Sequence, residues 1–372
     1  MAWYNTDWEF RKEITLNGAS ISGSHTNFPI LWHSDVDTDL STHASGNGHD
    51  IVFTDDDGVT RIHSEIENYV SGSGNIWIRV PNLVDGTDKT IYMYYGNIPG
   101  GDQEDIEGYR PSGVWNDNFV MVQHLADYTT SVVADSTKNG YDGDKGSENN
   151  PIVTTASSGM VATAQRFDGT DWINYGQDAA SEGYNALTIE GWVYRTSNTP
   201  SGWRTPLHRS NSADSTTVGA SVFFIAFEAT SHNIVSTIGA GSTGPSYTSG
   251  DTNVFAALNT WYYVVCSWDG SKGRTYVDGT QYAIYDLASL TNSPLGYTRI
   301  GSSGDGDGYL TAAIIDEVRI SDNFKTPGWI KTTYNTIKTP SAFLSTGGEE
   351  LNVNKWISAL SNVMNRVQYY VD

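Results

Sequence analysis

Short apolar–polar alternations run through most of the chain. WEFRKEITL, FPILWHS, DIVFTDDDGVTRIHSEIENY, GNIWIRVPNL and KTIYMYYGN follow one another with turn residues between them. This period of two is the mark of half-buried strands. Within the third segment the Asp56-Asp57-Gly58 turn joins two alternating arms and predicts a hairpin. In its second arm Ile62, Ser64, Ile66 and Asn68 alternate with His63, Glu65 and Glu67, so the isoleucines and the carboxylates are expected on opposite sides. The acidic, Gly- and Pro-containing stretch IPGGDQEDIEGYRPSG (Ile98–Gly113) reads as a linker. A second series follows: NFVMVQHL, AQRFDGTDWINY, LTIEGWVYRT, SVFFIAFEA, TWYYVVCSWDG, GRTYVDGTQYAIY, TRIGSS and AAIIDEVRIS. So many short strands at short spacing predict a two-sheet sandwich of jelly-roll type.

The pattern changes after TGGEE. In LNVNKWISALSNVMNRVQYYVD the residues Val353, Trp356, Leu360, Val363, Val367 and Tyr370 fall at spacings of 3, 4, 3, 4 and 3. That is a heptad seam, widened by Ile357, Met364 and Val371, with Asn352 placed to cap its start. A helix of ~20 residues is marginal alone in water. It needs a partner: its own β-domain, a sister chain or another protein. The width of the seam points to three or more packed helices. The expected organisation is therefore a β-sandwich domain over residues 1–110, a jelly roll over 111–346 and a helical tail over 347–372.

Composition supports an all-β class, with 38 Gly and 22 Tyr among the strand-forming runs. Net charge narrows the partners. With 43 acidic against 21 basic residues the chain stands at −22 and has no Lys/Arg cluster, which excludes nucleic acid. The same acidity supplies oxygen ligands for hard cations such as calcium. Cys266, the single cysteine, lies within a strand-forming run and is expected to be a buried apolar residue. MAWYNTDWEFRK lacks the basic and apolar regions of a secretory signal, and no apolar run approaches a membrane span. The protein is then either made and kept in the cytosol, exported by another route, released by lysis or shown without its leader, and the expected location is a virion or an extracellular surface.

The stretch YLTAAIIDEVRISDN poses the main chemical question. Asp316 and Glu317 sit inside a run built for burial, and buried carboxylates are costly unless paired, hydrogen-bonded or metal-bound. By alternation Glu317 and Arg319 face the side opposite Asp316, where they can pair with each other. Elsewhere, Asp55-Asp56-Asp57-Gly58 fails the spacing of a calcium-binding EF-hand loop and reads as a turn. Asp305 and Asp307 in GSSGDGDGYL lie in a glycine-rich loop able to gather oxygens around a cation. Trp203 and Tyr247 occupy polar, turn-rich loops, and Trp172 in GTDWINY can be either packed or exposed. All three are candidate sugar platforms, since sugars stack on aromatic faces.

AQRFDGTDWINYG, LTIEGWVYRT, LNTWYYVVCSWDGSKGRTYVDG and LTAAIIDEVRISD together resemble the laminin-G-like, concanavalin A-like jelly-roll family, over most of residues 115–335. WEFRKEITL, DIVFTDDDGVTRIHSEIENY, WIRVPNL and IYMYYGN resemble a domain of unknown function that often precedes such jelly rolls in prokaryotic and phage surface proteins. The resemblance implies a structural calcium near Asp316 in some members, with Asp168 and Asp135 as further ligands. It also sets a test for catalysis. Glucanases of this fold carry a Glu-x-Asp-x-x-Glu arrangement, absent here, and fold kinship does not transmit activity. Glu65 and Glu67 stand about 7 Å apart on one strand, within the roughly 5–10 Å of a glycosidase pair, but nothing separates their pKa values. Glu190 is a lone strand carboxylate.

The sequence thus points to a non-enzymatic structural or adhesion protein of a phage or virus particle, displaying a carbohydrate-binding jelly roll. Its expected partners are a sister chain or other virion proteins through the tail, and a host-surface glycan. The alternatives are a cell-surface lectin-like module and, third, a glycoside-cleaving enzyme.

Overall fold

The computed structural model describes residues 2–116, 118–127, 131–146, 152–153, 159–179, 183–197, 203–210, 221–228, 233–239, 251–255, 257–290, 296–303, 309–355 and 357. The chain forms two compact units, Met1–Val114 with Asn335–Asp372, and Trp115–Tyr334. The second unit is therefore inserted between two stretches of the first.

In the first unit, Leu344–Leu351, Phe10–Leu16, Lys89–Tyr95, Val52–Thr54 and Arg61–Ile62 form a five-stranded sheet in that order. His25–Ser34, Ser73–Leu83 and Ser64–Val70 form a three-stranded one. The predicted hairpin is present, with Phe53 opposite Ile62. Its second arm does not run on as one strand. The chain leaves the first sheet after Ile62 and joins the other at Ser64, and the register shifts between Ile66 and Asn68. Glu65 and Ile66 remain on opposite sides of their strand, but it is Glu65 that is buried and Ile66 only partly so.

The division of the chain also differs from the expected one. Leu344–Leu351 is not a break before a helix but an antiparallel edge strand on Phe10–Leu16, with Leu344 opposite Leu16 and Leu351 opposite Phe10. A helix unanticipated from the sequence, Pro327–Lys338, precedes it. The last turn of that helix is fixed in the first unit, where Thr336 Oγ1 accepts the Leu31 N–H at 3.0 Å and Asn335 donates to the Ser20 carbonyl at 2.8 Å.

The second unit is a sandwich of two antiparallel sheets. One runs Ile152–Val153, Gln165–Asp168, Ala312–Ser321, Leu187–Arg195, Trp261–Trp268, Lys272–Val277, Thr280–Asp286, and Phe119–Gln123 also pairs with Ala312–Ser321. The other runs Asp251–Phe255, Asn233–Ile238, Ser221–Glu228, Trp203–Ser210, Thr298–Ile300, Ile173–Asn174, Gly143–Asp144, Val132–Val133. Ile189, Val193, Val264, Cys266, Ile315 and Ile320 from the first sheet meet Phe223, Ile225, Phe227, Ile234, Ile238 and Leu207 from the second in one apolar core. Cys266 is fully buried within it, as its setting predicts. Among the described residues no helix is long and apolar enough to cross a membrane.

Candidate functional site

The strand Ala312–Ser321 shows what its two carboxylates do. Ala313 and Ile315 face the core, and so do Val318 and Ile320. The alternation therefore slips by one residue between them. The slip is a β-bulge: Glu190 pairs with Arg319 and Trp192 with Asp316, leaving two residues opposite Gly191, and Glu317 adopts φ +50°. Asp316, Glu317 and Arg319 consequently all turn away from the core. This corrects the expectation that Asp316 faces the other side from Glu317 and Arg319, because simple alternation carries no information about a bulge.

The expected Glu317–Arg319 pair is present and belongs to a larger network. Arg319 Nη2 donates to Glu317 Oε2 at 2.5 Å, and its Nη1 lies 3.4 Å from Glu190 Oε1. The other Glu317 oxygen meets His124 Nδ1 at 2.6 Å, and Tyr263 Oη donates to Glu190 Oε2 at 2.9 Å. The Trp115 ring covers the Arg319 guanidinium at 4.8 Å, and Trp192 stacks on Tyr334 with centroids 5.7 Å apart. Burial alone raises the pKa of Glu317, but His124 and Arg319 outweigh it and hold the carboxyl below its ordinary value. Glu190, Glu317 and Arg319 are each at most 3% exposed. A substrate cannot reach them, so the network is architectural: it lets charges tolerate a dry position by matching them.

Asp316 has a separate task. Its Oδ2 accepts the N–H groups of Met160 and Val161 at 2.7 and 2.9 Å and pins that segment. The calcium set expected around it does not assemble. Asp168 lies opposite Ala312, four residues along the strand from Asp316, or roughly 13 Å. Asp135 accepts from Val122 N–H and Thr137 N–H with one oxygen and from the Thr137 hydroxyl and Tyr141 N–H with the other. Among the described residues these three carboxylates form no common ligand cluster. Asp305 and Asp307 lie outside the described residues.

Of the aromatic candidates, Trp203 opens the strand Trp203–Ser210 with its side chain outside the description, and Tyr247 lies outside it altogether. Trp172 is described and partly exposed. Its loop is held at one end of the sandwich where several segments meet at Gly301. The Gly301 N–H donates to the Pro206 carbonyl, its carbonyl accepts from Thr311, and Thr205 N–H donates to the Tyr309 carbonyl. At φ +93° Gly301 packs against the Phe167 ring and the Asp171 carbonyl, a close approach that leaves no room for a side chain. Beside Trp172, Asp168 Oδ1 accepts from the N–H and hydroxyl of Thr170 at 2.8 and 2.7 Å, and the Asp168 N–H donates to Asp171 Oδ2 at 3.0 Å. Thr170's two bonds lower the pKa of Asp168, whereas burial, reinforced by the charge of Asp168, raises that of Asp171. The turn Asp168–Trp172 thus carries a partly exposed tryptophan, an exposed carboxylate and a threonine hydroxyl. Asp171, adjacent to Trp172 in the chain, was not singled out in the sequence, and nor was Tyr309, which sequence separation hides.

Residues 167–331 match the concanavalin A-like lectin/glucanases superfamily. The second unit is a concanavalin A-like domain. Residues 47–107, in the first unit, match a domain of unknown function (DUF2341), so the pairing expected from the sequence is present. No curated protein sequence matches the chain. Among solved structures, Trypanosoma rangeli sialidase in complex with sialic acid is similar at 12% identity and a TM-score of 0.43, over 84% of this chain and 45% of the sialidase. Domain 4 of AbnA, an extracellular arabinanase from Geobacillus stearothermophilus, in complex with arabinotriose, is similar at 14% identity and a TM-score of 0.43, over 58% of this chain and 98% of that domain. The binding domain of Paraclostridial Mosquitocidal Protein 1 is similar at 11% identity and a TM-score of 0.43, over 59% of this chain and 52% of that one. The chain spans less than half the length of the sialidase.

The tail of the chain is described only at its start. Asn352 Oδ1 accepts the Lys355 N–H at 3.4 Å, the expected cap, and Val353 and Ile357, one turn apart, are both exposed. Trp356, Leu360, Val363, Val367 and Tyr370 lie outside the described residues.

Proposed function

We propose that this protein is a non-enzymatic adhesion and structural protein whose concanavalin A-like domain binds carbohydrate at the sandwich end formed by Asp168, Thr170 and Trp172. The observation that carries this reading is that Trp172 is partly exposed in the same short turn as the exposed Asp168 carboxylate and the Thr170 hydroxyl that bonds it. A sugar ring stacks on an indole, and flanking oxygens take its hydroxyls. The state of the carboxylates supports a binding role rather than glycoside cleavage. Glu190 is held by Tyr263 and Arg319, Glu67 accepts the Trp77 indole N–H at 2.8 Å, and Asp168 and Asp171 touch. Cleavage of the usual kind needs two carboxylates roughly 5–9.5 Å apart across a cleft. A glycan array probed with the full chain and with Trp172→Ala tests the reading. Binding that the variant loses supports it; no binding to any glycan, or binding the variant retains, overturns it.

A second reading concerns assembly. The exposed pair Val353 and Ile357 begins the heptad seam and favours self-association or docking onto another virion protein, in a phage or virus appendage, fibre or decoration facing the host surface. Light scattering on the full chain and on a chain ending at Leu351 tests it. That end preserves the edge strand Leu344–Leu351. An oligomer that falls to a monomer supports the tail as an assembly device. Monomers in both cases sink self-association and leave docking onto another protein as the tail's role.

A further inference from the structure

The first unit contains a pocket that carbohydrate binding at Trp172 does not use. His63 stands where the chain passes from the strand Arg61–Ile62 to the strand Ser64–Val70 in the other sheet. Its carbonyl accepts the Arg79 N–H at 2.9 Å, which fixes it in place. The segment read as a linker is strapped down beside it. Glu104 Oε1 accepts the Ile66 N–H at 2.7 Å, and the Gln103 carbonyl accepts from Arg61 Nη2 at 2.7 Å. The Tyr109 ring then lies 5.6 Å from the His63 ring and 4.2 Å below the Arg61 guanidinium. Between strap and strand a pocket of about 260 Å³ opens, lined by His63, Gly108, Arg110, Ser112 and Gly113.

Its charge runs against that of the molecule. At −22 overall, a surface hollow is expected to be lined by acids; no carboxylate lines this one. Burial lowers the pKa of His63, and the fields of Arg79 and Arg61 lower it further while a backbone bond to Arg110 opposes them, so the imidazole is neutral and its surroundings positive. Its Nδ1 is buried and makes no hydrogen bond. Gly113 backs the ring so closely that a Cβ there would collide with it.

We propose that this pocket binds a small oxyanion, the carboxylate of a single acidic sugar residue, with Arg110 as its charge partner, Ser112 as a hydrogen-bonding group and the His63 ring as its wall. The size agrees, since pockets for drug-sized ligands begin at ~300 Å³. Arg110 is exposed, so its removal leaves the fold intact.

Calorimetric titration of the full chain with glucuronate, glucose and inorganic phosphate tests the proposal. Glucuronate is expected to bind and glucose not. Arg110→Ala is expected to weaken glucuronate about ten- to a hundredfold, the loss of one hydrogen-bonded charge partner. Gly113→Ala, which displaces His63, is expected to weaken it as well, and Trp172→Ala to leave it unchanged, which keeps this site distinct from the one in the other unit. Equal binding of glucose, or binding that Arg110→Ala does not alter, overturns the site. Phosphate binding without glucuronate binding overturns the sugar.

Discussion

Glu317 in the second unit and Glu104 in the first are both carboxylates withdrawn from water, and they titrate in opposite directions. Glu317 has His124 at 2.6 Å and Arg319 at 2.5 Å, and these two neighbours hold its pKa below the ordinary value although burial opposes this. Burial pushes Glu104 up to about 7 against the pull of the Ile66 N–H, and the neighbours Glu65 and Asp102 add repulsion that Arg61 only partly offsets. Burial is common to both. The sign of the neighbours decides the outcome, and with it how each unit responds to pH.

The sharpest way to break the contrast is to remove the cation that makes Glu317 tolerable. Arg319→Met leaves Glu317 and Glu190 buried with a charge deficit, and is expected to destabilise the protein by about 3–5 kcal/mol in urea unfolding. A loss below about 1 kcal/mol would mean that the matching of charges is not what stabilises this side of the sheet. The converse change is Glu104→Gln, which keeps an oxygen for the Ile66 N–H and deletes the repelled charge. Because the folded-state pKa of Glu104 is raised, the unfolded chain gives up its proton first as pH rises from 4.5 towards 7, and stability falls across that window. The variant is expected to gain about 1–3 kcal/mol at pH 8 and almost nothing at pH 4.5. Glu317 has the reverse sign: its contribution is present above the ordinary carboxylate pKa and is lost as pH falls through its depressed folded value.

A smaller effect attaches to Lys325, whose ammonium lies 4.3 Å from the Phe119 ring and 4.2 Å from that of Trp329. Burial lowers its pKa to about 8, despite the attraction of Glu190 and Asp322. Between about 8 and 10.5 the unfolded chain holds a proton that the folded one does not, so this residue makes stability rise with pH there. Lys325→Met is expected to add about 1 kcal/mol at pH 7, the relief of desolvation less the lost cation–π contacts, and nothing at pH 10.5. A variant less stable than the parent at pH 7 would show that the ring contacts dominate.

The two units also differ in how far the sequence anticipates them. The jelly roll, its apolar core and the Glu317–Arg319 pair follow from alternation and residue type. The bulge at Glu317 does not, because a one-residue slip leaves no mark in composition, and it is the bulge that brings Asp316, Glu317 and Arg319 to one side. KTTYNTIK in the helix Pro327–Lys338 is rich in β-branched residues and reads more easily as strand. Gly347 and Gly348 mask the edge strand Leu344–Leu351, since paired glycines weaken a strand pattern. The segment 98–113 reads as a linker from its acidity, yet Glu104 and Gln103 strap it across the first unit. Of the sugar-binding candidates only Trp172 can be placed, and its setting depends on Gly301, distant in sequence.

The smallest expected effect concerns calcium. A cation bound only by the folded chain adds RT ln(1 + [L]/Kd), about 2.7 kcal/mol at a hundredfold excess over Kd. The carboxylates expected to hold it are already engaged: Asp316 by Met160 and Val161, Asp135 by Val122, Thr137 and Tyr141, Asp168 by Thr170. Backbone N–H groups supply in the second unit the positive poles that a metal ion would otherwise bring. The melting curve is accordingly expected to be the same with and without a chelator. A fall on chelation would show a bound cation, and Asp305→Asn would then test the glycine-rich loop: loss of the difference would place the cation there, whereas Asp316→Asn, which disturbs the pinned segment at Met160, would lower stability whether or not calcium is present.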